Sequence, residues 1–357
     1  MDSNIEVFAR RLKQARILKK MSMEKLVQLS NGIVSKQAIS KYEAGKMKPN
    51  SSVLISLAMA LDVDVDYFFR PFSFDVDEFK VSFRKKADTS VKDINALKIQ
   101  IQDDVERYLE VEEILQKEIV PLPKYIGDTL STSRQMRELA IKLRSDWKLG
   151  NDAIANVQDV LESKGVKVIF VEAPSGFDGV SGIVNDKHYI VILNKCLEHV
   201  ERRRFTAMHE LGHLLYNERM SSNLTLRDKE KLCNAFASEM LLPTYTLKQL
   251  FTPNEKISLS ELRMLQMSYG ISIDAIMHKL LELDIISESK YKAFCIRKNR
   301  DKQLKKSVEA SLYKENVSNR FEALVYSAAA KELISISKAA SLLQSSTNTV
   351  RKNLSFV

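Results

Sequence analysis

The chain has 357 residues, 45% of them hydrophobic and 28% charged, with a formal net charge of +9; this excludes a disordered chain and leaves room for two or three domains. Cys196, Cys233 and Cys295 are too few and too scattered for a disulfide framework or a cysteine-based zinc module. No apolar run approaches the roughly 18 residues that span a bilayer and no signal pattern is present, so a cytoplasmic protein with no membrane partner is expected; the basic balance favours a polyanionic partner without singling out DNA.

In residues 5–20, Phe8, Leu12, Ala15 and Leu18 fall near one helical face, with six lysines and arginines around the rest, which predicts a basic amphipathic helix. Ser22 is placed to cap a second helix. After the Asn31-Gly32 turn, Ser35 caps a third, KQAISKYEAGK, stopped by Gly45. A fourth helix starts at Ser51 or Ser52 and runs through Leu61, and a short fifth surrounds residues 65–69.

The stretch AISKYEAGKMKPNSSVLISLAMALDVDVDYFF, and with it nearly all of residues 5–69, resembles the helix-turn-helix of XRE-type regulators. The resemblance implies that the helix beginning at Ser35 enters the major groove of double-stranded DNA. Lys36, Gln37 and Lys41 are then the candidates for base edges, Gln37 with adenine and a lysine with guanine, while Ser40 and Lys46 suit phosphate. A homodimer on two half-sites about one helical turn apart is expected. Two departures stand out: the turn over residues 30–34 is a couple of residues longer than usual, and Met23 occupies a position where a phosphate-contacting polar residue is common.

Residues 72–83, FSFDVDEFKVSF, nearly alternate and predict a hairpin or extended linker. Residues 91–117 predict one helix, with Ile94, Leu97, Ile101, Val105, Tyr108, Val111 and Leu115 close to a heptad repeat that Asp104 interrupts. Fewer than four clean heptads favour a face packed on the next domain over a dimer seam. Pro121 and Pro123 mark a boundary, giving an expected division into 1–70, 71–130, 131–258 and 259–357.

Helices are predicted over 133–147 and 152–163, and strands over 166–173, 180–184 and 189–194. The run FTAMHELGHLLY at 205–216 then places His209 and His213 four apart, one above the other on a helix, where both imidazoles can converge on one ion. Glu210 beside them can take a proton from attacking water. Gly212 between the ligands admits a close neighbour, and Tyr216 suits the core. A catalytic metal keeps a position open, so a third ligand must come from elsewhere. Glu230 and Glu239 compete for that role on the helical run that Pro243 ends.

FTAMHELGHLLYN followed by EKLCNAFASEMLLP resembles the ImmA/IrrE metallopeptidases. The resemblance assigns the third ligand to Glu230, leaves Glu239 outside the coordination and puts Cys233 at a small-residue packing position. It implies Zn2+, although two histidines and a carboxylate accept Mn2+ too. It also implies a regulator whose peptidase cuts a helix-turn-helix repressor, in trans or within this chain, in a stress or mobile-element response. Alternative readings are a non-proteolytic transcription factor that senses metal or ligand, and an antitoxin-like regulator. A substrate peptide is expected beside an edge strand. Arg202, Arg203 and Arg204 read as solvated, and His188 and His199 as non-ligands.

Residues 257–294 read as helical pieces, and the basic run 290–306 as a solvated face. The tail KELISISKAASLLQSSTNTVRKNL is helix, turn and helix; it faintly resembles a second helix-turn-helix, but a helical cap over the core is the favoured reading. The whole is expected to be α+β and mostly helical: a five-helix N-terminal domain, a zincin-like metallopeptidase domain with a small sheet, and a helical C-terminal region.

Overall fold

In a computed structural model the described residues are 4–72, 90–315 and 319–354, and the fold is α+β and mostly helical. The alternating stretch at 72–83 therefore falls, from residue 73 onward, outside the described residues.

The N-terminal helices begin where capping chemistry puts them. They are α1 (Asn4–Leu18), α2 (Met23–Leu29), α3 (Lys36–Glu43) and α4 (Ser51–Leu61), followed by a 3-10 turn, Val65–Phe69. Ser22, Ser35 and Asn50 each accept a hydrogen bond from the backbone N–H three residues on, satisfying a donor the helix leaves orphaned. Asn50, rather than Ser51 or Ser52, is the cap of α4. Past α3, Gly45 takes φ +66, which suits a residue without Cβ. The turn between α2 and α3 is long, as its sequence indicates, with Asn31 and Gly32 both in the left-handed region. Phe8, Leu12, Leu26, Ile39, Leu57, Leu61 and Phe68 fill the core between these helices.

Helix α5 (Val91–Ile114) buries Ala96, Leu97, Ile101, Val105, Tyr108 and Val111, so its apolar stripe is a packed face. Its partners differ from the one expected: α5 packs on α1 and on the helix over residues 320–330. The reason lies in buried charge that periodicity reads as exposed. Fully buried Arg11 on α1 meets Glu106 at 2.6 Å and also donates to the carbonyls of Arg70 and Pro71.

A second group of elements runs from α6 (Ser133–Asp146) and α7 (Val157–Ser163) into three strands, β1 (Val166–Val171), β2 (Gly179–Val184) and β3 (His188–Asn194). The sheet order is β1-β3-β2, with β1 parallel and β2 antiparallel to β3, so β2 is an outer strand. Helix α7 starts five residues later than its pattern suggests, because the carbonyls of Asp152, Ile154 and Ala155 are taken by the guanidinium groups of Arg144 and Arg204 instead of by a helix. Next come α8 (Val200–Tyr216) and α9 (Leu226–Leu241), then α10 (Thr244–Leu250), α11 (Leu259–Tyr269), α12 (Ile273–Glu282), α13 (Glu288–Arg300) and α14 (Lys302–Glu309). One apolar core joins the sheet, α6, α8, α9 and α12.

The chain ends in α15 (Arg320–Ala330), α16 (Ile336–Leu343) and α17 (Thr347–Leu354). The sequence favours these helices as a cap over the core; the contacts group them elsewhere. They cluster with α1–α5 in one compact unit, and residues 119–315 make the other. Phe321 of α15 stacks on Tyr108 of α5 with ring centroids 5.6 Å apart.

Candidate functional site

Helix α8 presents two faces. Ala207, Met208, Leu211 and Tyr216 are buried in the core, while His209, Glu210 and His213 sit on a half-buried side. Helix α9 lies against α8, and Gly212 is what allows the approach: a Cβ there would stand 3.0 Å from the Phe236 ring and 3.4 Å from Cys233 Sγ. Cys233 is buried at that contact, where it packs as its position implies.

The close approach brings Glu230 to the two histidines. His209 Nε2 lies 3.0 Å from Glu230 Oε2, His213 Nε2 lies 3.3 Å from Glu230 Oε1, and the two Nε2 atoms are 3.1 Å apart. Donors about 2.0–2.1 Å from a tetrahedral ion stand about 3.3 Å from one another; the two imidazole nitrogens are near that spacing, each meets a different oxygen of Glu230, and one donor atom from each of the three residues lies within 4.8 Å of the others, a triangle that could hold a metal ion. Among the described residues these three form the one such group of possible ligands.

Residues 161–281 match the family model described as the IrrE N-terminal-like domain, a peptidase family, and residues 12–68 match the helix-turn-helix model. The chain joins these two domains. No curated protein matches it.

Within the IrrE N-terminal-like domain two further side chains support the triad. Asn234 Oδ1 is 2.8 Å from His209 Nδ1, which fixes a proton on that nitrogen and aims the bare Nε2 at the ligand triangle. Ser181 Oγ, on β2, donates to Glu210 Oε2 at 2.7 Å. Asn234 follows Glu230 by one turn, so helical spacing carried a signal for it; nothing local marks Ser181, which only the packing of β2 on α8 reveals.

Glu239 is buried elsewhere. It pairs with Lys279 Nζ at 2.6 Å and accepts from Thr244 N at 2.7 Å. Burial pushes the Lys279 amine down to about 8 against the pull of that carboxylate. His188 lies at the start of β3, where burial and then Lys167 and Lys187 push it down to about 4, and His199 precedes α8. Tyr216 is buried between Phe236 and Tyr125, with burial raising its phenol.

The three arginines before HELGH do not share one solvated state. Arg202 pairs with Asp178 on the surface and Arg203 lies over the Phe170 ring. Arg204 is fully buried, bonded to Glu315 and to the carbonyls of Ile154, Ala155, Tyr269 and Gly270.

In the helix-turn-helix domain Ser35, Lys36, Gln37, Ser40, Lys41 and Lys46 are all exposed, with Ser35 also serving as the cap of α3. Lys36 is drawn to Glu24 of α2, and its hydrogen bond holds that carboxyl down at about 2. Met23 turns inward, packed against the domain core.

Proposed function

We propose that this chain is a DNA-binding transcriptional regulator carrying a zinc-dependent endopeptidase, whose substrate is a helix-turn-helix repressor, cleaved in trans or within the chain itself. The observation that carries the reading is the convergence of His209, His213 and Glu230 with Glu210 adjacent. Zinc held by those three side chains supplies Lewis acidity toward a carbonyl oxygen and toward water. Glu210 takes the proton from the attacking water and returns it to the leaving amine, and Ser181 holds that carboxylate in place. Strand β2 pairs with β3 on one side, so an extended substrate can add along its other edge and be positioned by main-chain hydrogen bonds. The exposed start of α3 reads base edges through Gln37 and Lys41, with Lys46 on phosphate. Manganese suits the same donors.

The test is incubation of the zinc-loaded chain with helix-turn-helix repressors encoded beside its gene, followed by mass spectrometry. Discrete fragments that vanish with Glu210→Gln are expected. Intact repressors and an intact chain under every metal load would leave a regulator without proteolysis.

A further inference from the structure

The C-terminal helices repeat the local geometry of the N-terminal reader. Ser22 and Ser35 cap α2 and α3 by accepting from Lys25 N and Ala38 N; Ser335 accepts from Lys338 N and Ser346 from Thr349 N, at the starts of α16 and α17. Counting from its capping serine, the second helix of each pair has a carboxamide at the second position, Gln37 or Asn348. Each has a wholly buried apolar residue at the fourth, Ile39 or Val350, and a lysine at the sixth, Lys41 or Lys352. The carboxamides and lysines are exposed in both. The connections differ in length. Residues 30–35 join α2 to α3, whereas 344–346 join α16 to α17, with Gln344 in the left-handed region at φ +49. A short turn of that kind belongs to the helix-turn-helix motif.

The composition of α17 points outward. Val350 is its buried residue, while Thr347, Asn348, Thr349, Arg351, Lys352 and Asn353 are exposed. Thr and Asn are weak helix formers, so they add little to helix stability at exposed positions; what they share is hydrogen-bonding reach. Residues 319–354 carry five basic side chains against two acidic ones. Helix α5 supports both motifs: Asp103 accepts from Arg70, at the end of the N-terminal domain, and from Gln344 Nε2 at 3.1 Å, in the C-terminal turn. Arg107, one turn on, donates to the Leu342 carbonyl.

We propose that residues 335–354 are a second duplex-DNA reader, with α17 as the helix that enters the major groove, fixed by α5 relative to the N-terminal reader. One chain then recognises two separate blocks of sequence. This rests on reading the N-terminal motif as a duplex reader.

The test selects binders from a randomised duplex library with the full chain, and repeats the selection with Gln37→Ala, Asn348→Ala and Arg351→Glu. Circular dichroism melting checks that each variant is folded. Two preferred blocks are expected. Asn348→Ala relaxes one and Gln37→Ala the other, each with about tenfold weaker binding to the selected duplex. Arg351→Glu weakens binding to all sequences and flattens the salt dependence. A single block that responds to Gln37→Ala and ignores Asn348→Ala and Arg351→Glu overturns the second reader alone. A chain that selects no sequence overturns both readers.

Discussion

Glu230 and Glu239 sit on one helix, yet one faces two imidazoles and the other a buried ammonium. Their substitutions separate cleanly. Glu230→Ala is expected to lower zinc content sharply with little change in folding. Glu239→Ala is expected to keep zinc and cost about 3–5 kcal/mol of stability, because Lys279 is left buried without its counter-charge. Metal analysis beside denaturant titration checks both, and the reverse pattern would exchange the two carboxylates. On the same logic His213→Ala loses the metal and Glu210→Gln keeps it while hydrolysis stops. Asn234→Ala, which removes the acceptor that sets the His209 tautomer, is expected to weaken zinc binding about 10–100-fold.

Helix α8 does two jobs along its length. Its second half carries HELGH; its first half grips residues 311–315, through Arg204 to Glu315 and through Glu201, which accepts from Ser311 Oγ, Leu312 N and Tyr313 N. Burial opposes the Glu201 charge, but those hydrogen bonds outweigh it and hold the carboxyl below its usual range. A carboxyl that is more acidic folded than unfolded stabilises the fold fully above its unfolded pKa, about 4.3. That contribution is lost as the pH falls through the lower folded value. Glu201→Gln is therefore expected to cost about 2 kcal/mol at pH 7. The difference in Tm from wild type should shrink as the pH drops below about 4. A pH-independent difference would mean that the charge of Glu201 is irrelevant to the grip.

At the scale of the molecule, the His209, His213 and Glu230 cluster and the start of α3 belong to different compact units. His213→Ala is accordingly expected to bind a selected duplex as wild type does. Lys46→Ala in the full chain should weaken all duplexes alike and reduce the salt slope by about one. Gln37→Ala should instead relax preference at one base position, at about 1–3 kcal/mol. Titration of labelled duplex at several salt concentrations checks all three. Altered DNA affinity in His213→Ala would mean that the peptidase unit reports its metal state to the reader.

What the sequence determined by itself is what depends on near neighbours. Ser22 and Ser35 cap helices with donors three residues away, HELGH puts two imidazoles on one helical face, and β-branched runs make the strands. These follow from backbone geometry and periods of 3.6 and 2. What tertiary structure decided is where charge went. Arg11 and Arg204 read as surface residues and Glu239 as a competing ligand, yet each is buried, because a partner or a set of carbonyls from distant sequence satisfies it. Those partners also shortened α7 and turned α5 toward α1, while Arg107 and Asp103 of α5 hold the turn before α17. Ser181 reaches Glu210 only once β2 lies against α8. No local period encodes such meetings, since each depends on two segments whose separation along the chain is closed only by folding.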